Sequence, residues 1–81
     1  MSSPDLIDLR CFEAAIRTGS ISAAARELGV SQQAVSARLR SLERLVGITL
    51  IQRSPSGVAP TPAGDALLAW AARGTRRGRQ T

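Results

Sequence analysis

The sequence predicts a mainly α domain: a three-helix core, a small two-stranded hairpin and a fourth helix at the C-terminal end. Three observations predict it. Gly19, Gly29 and Gly47 each close a stretch of helical apolar period. A β-prone run, Ile48 to Ile51, is followed by the turn residues Ser54, Pro55, Ser56 and Gly57. Thr61-Pro62 then reads as a helix start, a capping hydroxyl before a proline at the first helical position.

The first helix is expected over Asp5 to Thr18, with Pro4 at its entry. Leu6, Leu9, Phe12 and Ile16 share one face, and Ile7, Cys11 and Ala14 make a second apolar stripe on nearly the opposite side. A helix apolar on two sides is covered on both. The only apolar element left over for the second stripe is the last helix, so Ile7 and Cys11 are expected to pack on Leu67 and Trp70, within one chain or across two.

Ser20 or Ser22 can cap a short second helix that ends at Gly29. Ser31 caps a third, which runs to about Val46 with the core stripe Val35, Leu39, Leu42 and Val46. Val58-Ala59 return as the second strand of the hairpin, which is too small to stand unless packed on the helices. The last helix carries Ala63, Leu67, Trp70 and Ala71 to about Arg73, and residues 74–81 (GTRRGRQT) read as a disordered basic tail. In domain terms, residues 1–60 form the head, 61–73 begin a linker helix, and 74–81 follow.

Bulk properties narrow the function. The chain has 81 residues, enough for one small domain whose core is thin and leaves little volume for a deep pocket. With 43% hydrophobic and 21% charged residues it has globular composition. No apolar run approaches the roughly 18 residues that cross a bilayer, and no secretory pattern opens the chain. One cysteine cannot form a disulfide within the chain, and the absence of histidine excludes His-based metal clusters and triads. A reducing cytoplasm is the expected compartment, with no cofactor and no enzymatic role. The net charge of +5 suits an anionic partner. Its distribution tempers that inference: residues 1–65 carry seven Arg against six acids, and the excess lies in the four Arg beyond residue 65. Those tail arginines suit a nucleic-acid arm or an unstructured end equally well.

Ala25, Gly29 and Val35 carry more information than the composition. The alanine lets two helices cross closely, the glycine supplies the bend, and the valine anchors the second helix on the first. Such a turn holds the third helix out from the body, so that its N-terminal end can enter a major groove. Opposite the core stripe of that helix lie Gln33, Ala37, Arg40, Ser41 and Arg44, with Ser36 on the flank and Gln32 at the N-terminal end. Glutamine can pair an adenine edge through two hydrogen bonds, serine reads donors or acceptors, and an alanine methyl fits a thymine methyl. Gln32, Gln33, Ser36 and Ala37 are therefore the candidates for base readout. Ser31, Arg38, Arg40, Arg44 and, on the hairpin, Arg53 are the candidates for phosphate contact. A polar solvated face is the plain alternative.

At this point the chain resembles the N-terminal domain of LysR-type transcriptional regulators. The matching residues are Leu9-Arg10, Phe12, Gly19-Ser20, Ala24-Ala25, Leu28, Val30-Ser31-Gln32, Ser36, Leu42-Glu43, Leu45, Gly47, Leu50, Arg53 and Thr61-Pro62-Ala63-Gly64. The likeness covers residues 5 to about 72 in order and without gaps. It implies a winged helix-turn-helix domain that binds double-stranded DNA through its third helix, and a linker helix that pairs two chains into a homodimer. It also implies a C-terminal effector-binding domain, absent from these 81 residues, where any small-molecule inducer would bind. The chain departs from the family pattern at Gln33, where proline is usual, and at Ala37, often arginine. Ser56 stands where a second wing arginine often lies, and Pro60 replaces an aliphatic residue and is expected to shorten the second strand. Gly74 is expected to end the linker helix early.

Two other classes compete. A winged-helix module for protein–protein contact would expose an apolar or acidic face on the third helix. The head of a molybdate-responsive regulator would share the fold and still bind DNA. Cys11 reads as helix-packed filler rather than a redox sensor.

Overall fold

Leu6–Thr18 forms α1 in the computed structural model, which describes the backbone of residues 5–80 and the side chains of residues 5–73. Its entry residue Asp5 makes no side-chain cap, and Gly19 ends the helix in the left-handed conformation (φ 72°). Ile21–Leu28 forms α2, capped by Ser20, whose Oγ accepts the Ala23 N–H at 3.0 Å. Gln32–Val46 forms α3. The hairpin pairs β1 (Ile51–Ser54) with β2 (Gly57–Pro60), antiparallel in the register Ile51 to Pro60 and Ser54 to Gly57. Pro62–Gln80 forms α4.

Helix α1 packs on both α2 and α3, and α2 packs on α3. The core contains Phe12, Val35, Leu39, Leu42 and Leu50, with Cys11 and the alanines 14, 15, 24 and 25 filling the close approaches. The stripe expected on α1 is rotated. Its buried residues are Asp8, Cys11, Phe12, Ala14 and Ala15. Leu6, expected inside, is 68% exposed at the first position of the helix, whereas Leu9 and Ile16 lie at the core margin. Helix α1 is indeed covered on two sides, but from within its own chain. Cys11 and Ala14 lie in the core cluster, against which Leu67 of the last helix also packs.

On α3 the stripe holds through Val35, Leu39 and Leu42, all fully buried, and fails at Val46, which is 43% exposed in the last turn. The first strand begins at Ile51 rather than Ile48. The backbone groups of Leu50 explain the shift: its N–H is bound by the Glu43 carboxylate and its carbonyl accepts the Thr61 N–H. The N–H thus leaves the ladder for α3, whereas the carbonyl bond continues the pairing one residue beyond Ile51 and Pro60. Pro60 does not cut β2 short but closes it opposite Ile51. Each strand of a two-stranded sheet has an open edge, where a residue without an N–H is tolerated.

Thr61 caps α4 as expected: its Oγ1 accepts the Gly64 N–H at 3.1 Å and donates to the Thr49 carbonyl at 2.7 Å. The first turn of α4 sits so close to the core that a Cβ on Gly64 would lie 2.3 Å from the Leu50 carbonyl oxygen and 3.3 Å from Phe12. The helix passes through Gly74, where the sequence predicts its end near Arg73. A single glycine costs a helix only about 1 kcal/mol and does not by itself terminate it. The expectation for the side chains of the basic tail, 74–81, lies outside the described residues.

Candidate nucleic-acid interface

The turn between α2 and α3 is built as the Ala25–Gly29–Val35 spacing requires. Gly29 has φ 72°, and the Val30 N–H reaches back to the Ala25 carbonyl at 3.0 Å, the six-to-one bond of a Schellman stop. Ser31 then starts α3, its Oγ accepting the Ala34 N–H at 3.0 Å. That bond uses an acceptor lone pair and leaves the hydroxyl proton able to donate.

From this start, α3 presents Gln33, Ala37, Arg40, Ser41 and Arg44 to solvent, with Gln32 exposed at the entry and Ser36 half-buried. Gln32 donates from Nε2 to Ser22 Oγ at 3.3 Å, tying the first turn of α3 to α2. The four candidates for base readout thus lie together on the N-terminal half of the helix. Arg40 and Arg44 follow on its C-terminal half. They border a shallow open groove with Glu43, Gly47, Ile48 and Thr49, where α3 hands the chain on towards the hairpin.

The arginines divide by partner. Arg40, Arg44 and Arg53 are exposed and in no ion pair among the described residues. Arg38 is different from what the sequence suggests. Its Nη1 lies 3.2 Å from Asp8 Oδ1 and 3.8 Å from Asp5 Oδ2, so the guanidinium is turned to α1 rather than to the open face. Arg17 is likewise occupied, bridging Glu27 of α2 and Glu13 of its own helix. Hydrogen bonding to Glu27, then to Glu13, raises the Arg17 pKa, and the same bond lowers that of Glu27.

Glu43, which the sequence marks only as one of the residues shared with the family and not as a site candidate, has a specific partner in the fold. Its Oε2 accepts the N–H groups of Leu50 at 2.8 Å and Ile51 at 3.1 Å. The available signal was the isolation of one acid among Arg38, Arg40 and Arg44, one turn before the helix stop.

The hairpin carries Arg53 opposite Val58, with Ser56 in its exposed two-residue turn. It is anchored to α1 where the Val58 N–H donates to the Gly19 carbonyl at 3.1 Å. Of the residues expected at a linker or dimer contact, Cys11 is buried in the core. Burial pushes its thiol pKa up, opposed by the nearby Arg38 charge and helped by Asp8. Leu67 is half-buried against the core, whereas Trp70 is 54% exposed and Ile7 lies at the surface. Among the described residues no cluster of His, Cys, Asp and Glu is suited to a metal ion, and no helix is long and apolar enough to cross a membrane.

An uncharacterized HTH-type transcriptional regulator of Mycobacterium tuberculosis is 50% identical over 68 residues, which is 80% of this chain and 22% of that protein. The chain thus spans between about a fifth and a third of the length of the curated relatives it matches. Two solved structures share the fold. The BenM DBD in complex with catB site 1 DNA superposes with a TM-score of 0.85 at 30% identity, covering 94% of this chain and 85% of that one. The CbnR DBD–DNA complex gives a TM-score of 0.74 at 32% identity, covering 94% and 95%. Residues 6–65 match the family model described as bacterial regulatory helix-turn-helix protein, lysR family, and the chain belongs to that family.

Proposed function

We propose that this chain is the reading head of a bacterial transcription regulator and binds double-stranded DNA sequence-specifically, with α3 in the major groove. One observation carries the reading: α3 leads with exposed Gln32, Gln33 and Ala37 and half-buried Ser36, and follows them with Arg40 and Arg44, in no ion pair among the described residues. Direct readout needs amides, hydroxyls and methyls where the helix meets base edges, and cations where it meets phosphate. Two similar solved structures are complexes with DNA, which supports the DNA-binding reading.

In this reading Gln32, Gln33, Ser36 and Ala37 read bases. Ser31, Arg40, Arg44 and Arg53 contact phosphates, while Arg38 serves α1 in the first place. Arg53 and the hairpin form a wing against the flanking backbone. Two chains pair through α4 with Trp70, Ile7 and Leu67 at the contact, placing two heads on half-sites one helical turn apart or a multiple of it. Exposed Trp70, Leu6 and Ile7 support that pairing. Inducer sensing belongs to the part of the regulator that these 81 residues do not include, and the compartment is the cytoplasm. The reading includes neither catalysis nor a cofactor.

Selection from a random duplex pool tests binding and recovers the site together. On that site, Gln33→Ala relaxes preference at one base pair by about 1–3 kcal/mol and leaves nonspecific affinity nearly unchanged. An equal loss on all duplexes would give Gln33 a structural role instead.

A further inference from the structure

Glu43 places a carboxylate on the flank of α3 that faces the hairpin. Its Oε2 alone accepts two consecutive backbone N–H groups, those of Leu50 and Ile51. Both residues are buried, so without this acceptor the two donors would be left unpaired away from water. The other bonds that fasten this region run elsewhere. The Val58 N–H goes to the Gly19 carbonyl of the α1 stop, and Thr61 at the α4 cap holds the carbonyls of Leu50 and Thr49. Glu43 is thus the hydrogen-bonded link from α3 itself to the base of β1. It is charge-assisted on the acceptor side, which makes it short and directional.

Arg53 stands two residues along β1 from Ile51, about 7 Å of strand. We propose that Glu43 is a positioning residue: it fixes the offset between α3 and Arg53, so that helix and wing engage one duplex together. This inference rests on the DNA-binding reading above. A carboxylate that only stabilised the fold would lower affinity independently of Arg53. A positioning carboxylate acts through Arg53, and the two substitutions then lose the same contact.

A double-mutant cycle on the selected duplex separates these cases. Glu43→Ala and Arg53→Ala should each weaken binding about tenfold, and the double variant should fall within about twofold of Arg53→Ala alone. Glu43→Gln keeps a carbonyl oxygen on the same stem and should stay within about threefold of the parent. In the free protein, Glu43→Ala should speed amide exchange at Leu50 and Ile51 and leave Val58 and Thr61 protected. Should circular dichroism show Glu43→Ala unfolded, Glu43→Asp, too short to reach both N–H groups, takes its place in the cycle. Additive losses approaching a hundredfold, or Glu43→Gln as weak as Glu43→Ala, would overturn the proposal. Failure of the parent protein to bind any duplex would remove the DNA-binding reading and this inference with it. Binding with additive losses would remove this inference alone.

Discussion

Arg38 of α3 holds the buried carboxylate of Asp8 on α1, Nη1 to Oδ1 at 3.2 Å. The pair is uneven: the Asp8 side chain is 7% exposed and that of Arg38 is 46%. Together with Glu43 on the opposite flank, it grips α3 from two sides by charges of opposite sign.

The unevenness decides which partner matters more for stability. Arg38→Ala strands a carboxylate away from water and should destabilise the domain by roughly 1–3 kcal/mol. Asp8→Asn leaves a half-exposed guanidinium that water can solvate, and should cost less than about 1 kcal/mol. Urea denaturation of both variants checks this; equal losses would show that the pair stabilises through mutual attraction alone.

Cys11 gives stability a pH dependence of known sign. Burial holds its thiol pKa above the ordinary 9.0. The folded chain therefore keeps a proton that the unfolded chain releases, and this contribution is fully present below the unfolded pKa. It is lost as pH rises from there through the folded pKa. The urea midpoint of the parent should fall between pH 8 and about pH 10 more steeply than that of Cys11→Ala. A thiol reagent at neutral pH should label the folded protein slowly. Rapid labelling would mean that Cys11 opens to solvent.

Three glycines separate backbone strain from crowding. Gly29 has φ 72° with open space around its Cβ position, so Gly29→Ala should cost only the left-handed strain, about 1–2 kcal/mol. Gly64 is helical but meets the Leu50 carbonyl, so Gly64→Ala should cost about 1–3 kcal/mol through overpacking. Gly57 combines both, with φ 132° and a Cβ that would fall 2.3 Å from the Gly19 carbonyl oxygen. Gly57→Ala should therefore lower the melting temperature most of the three.

What was legible in the chain was local. Ser31, Gly47 and the Val35/Leu39/Leu42 spacing state α3 without outside help, and Thr61-Pro62 states the start of α4. The misread parts depend on partners far away in sequence. Asp8 is buried with Arg38, thirty positions later, as its charge partner, and periodicity cannot supply that. The buried face of α1 was rotated because close helix crossing brings the small second-stripe residues Cys11 and Ala14, with Ala15 beside them, into the core and leaves the larger Leu9 and Ile16 at its margin. Glu43 looks like surface charge until the Leu50 and Ile51 N–H groups are seen to face it. On the candidate interface, exposure of the Gln/Ala/Arg face was legible because it follows from the same helical period as the core; the diversion of Arg38 was not.

Pairing of two chains should depend on Trp70. Its side chain is 54% exposed on α4, far more than an indole in its own chain's core would be. Sedimentation should show a concentration-dependent dimer that Trp70→Ala weakens, with tighter binding to a two-half-site duplex than to one half-site. A parent that stays monomeric and binds both duplexes equally would leave Trp70 without a role in assembly.

The salt dependence of DNA binding should follow which arginines are already occupied. Each phosphate neutralised contributes roughly 0.9 to the slope of log affinity against log salt concentration, because counterions are released. Arg40, Arg44 and Arg53 enter no ion pair among the described residues, so each can neutralise a phosphate without first leaving a protein partner. Arg38 would have to abandon Asp8, and the buried carboxylate would oppose that. Arg40→Ala, Arg44→Ala and Arg53→Ala should therefore each flatten the slope by close to one unit. Arg38→Ala should leave the slope nearly unchanged, lowering affinity only through the looser seating of α3 on α1. Titrations at four or more salt concentrations, on one duplex, give these slopes directly. A slope that drops as much for Arg38→Ala as for Arg40→Ala would mean that DNA draws Arg38 away from Asp8. The α1–α3 pair would then break on binding, and the free and bound heads would differ in how α3 is held.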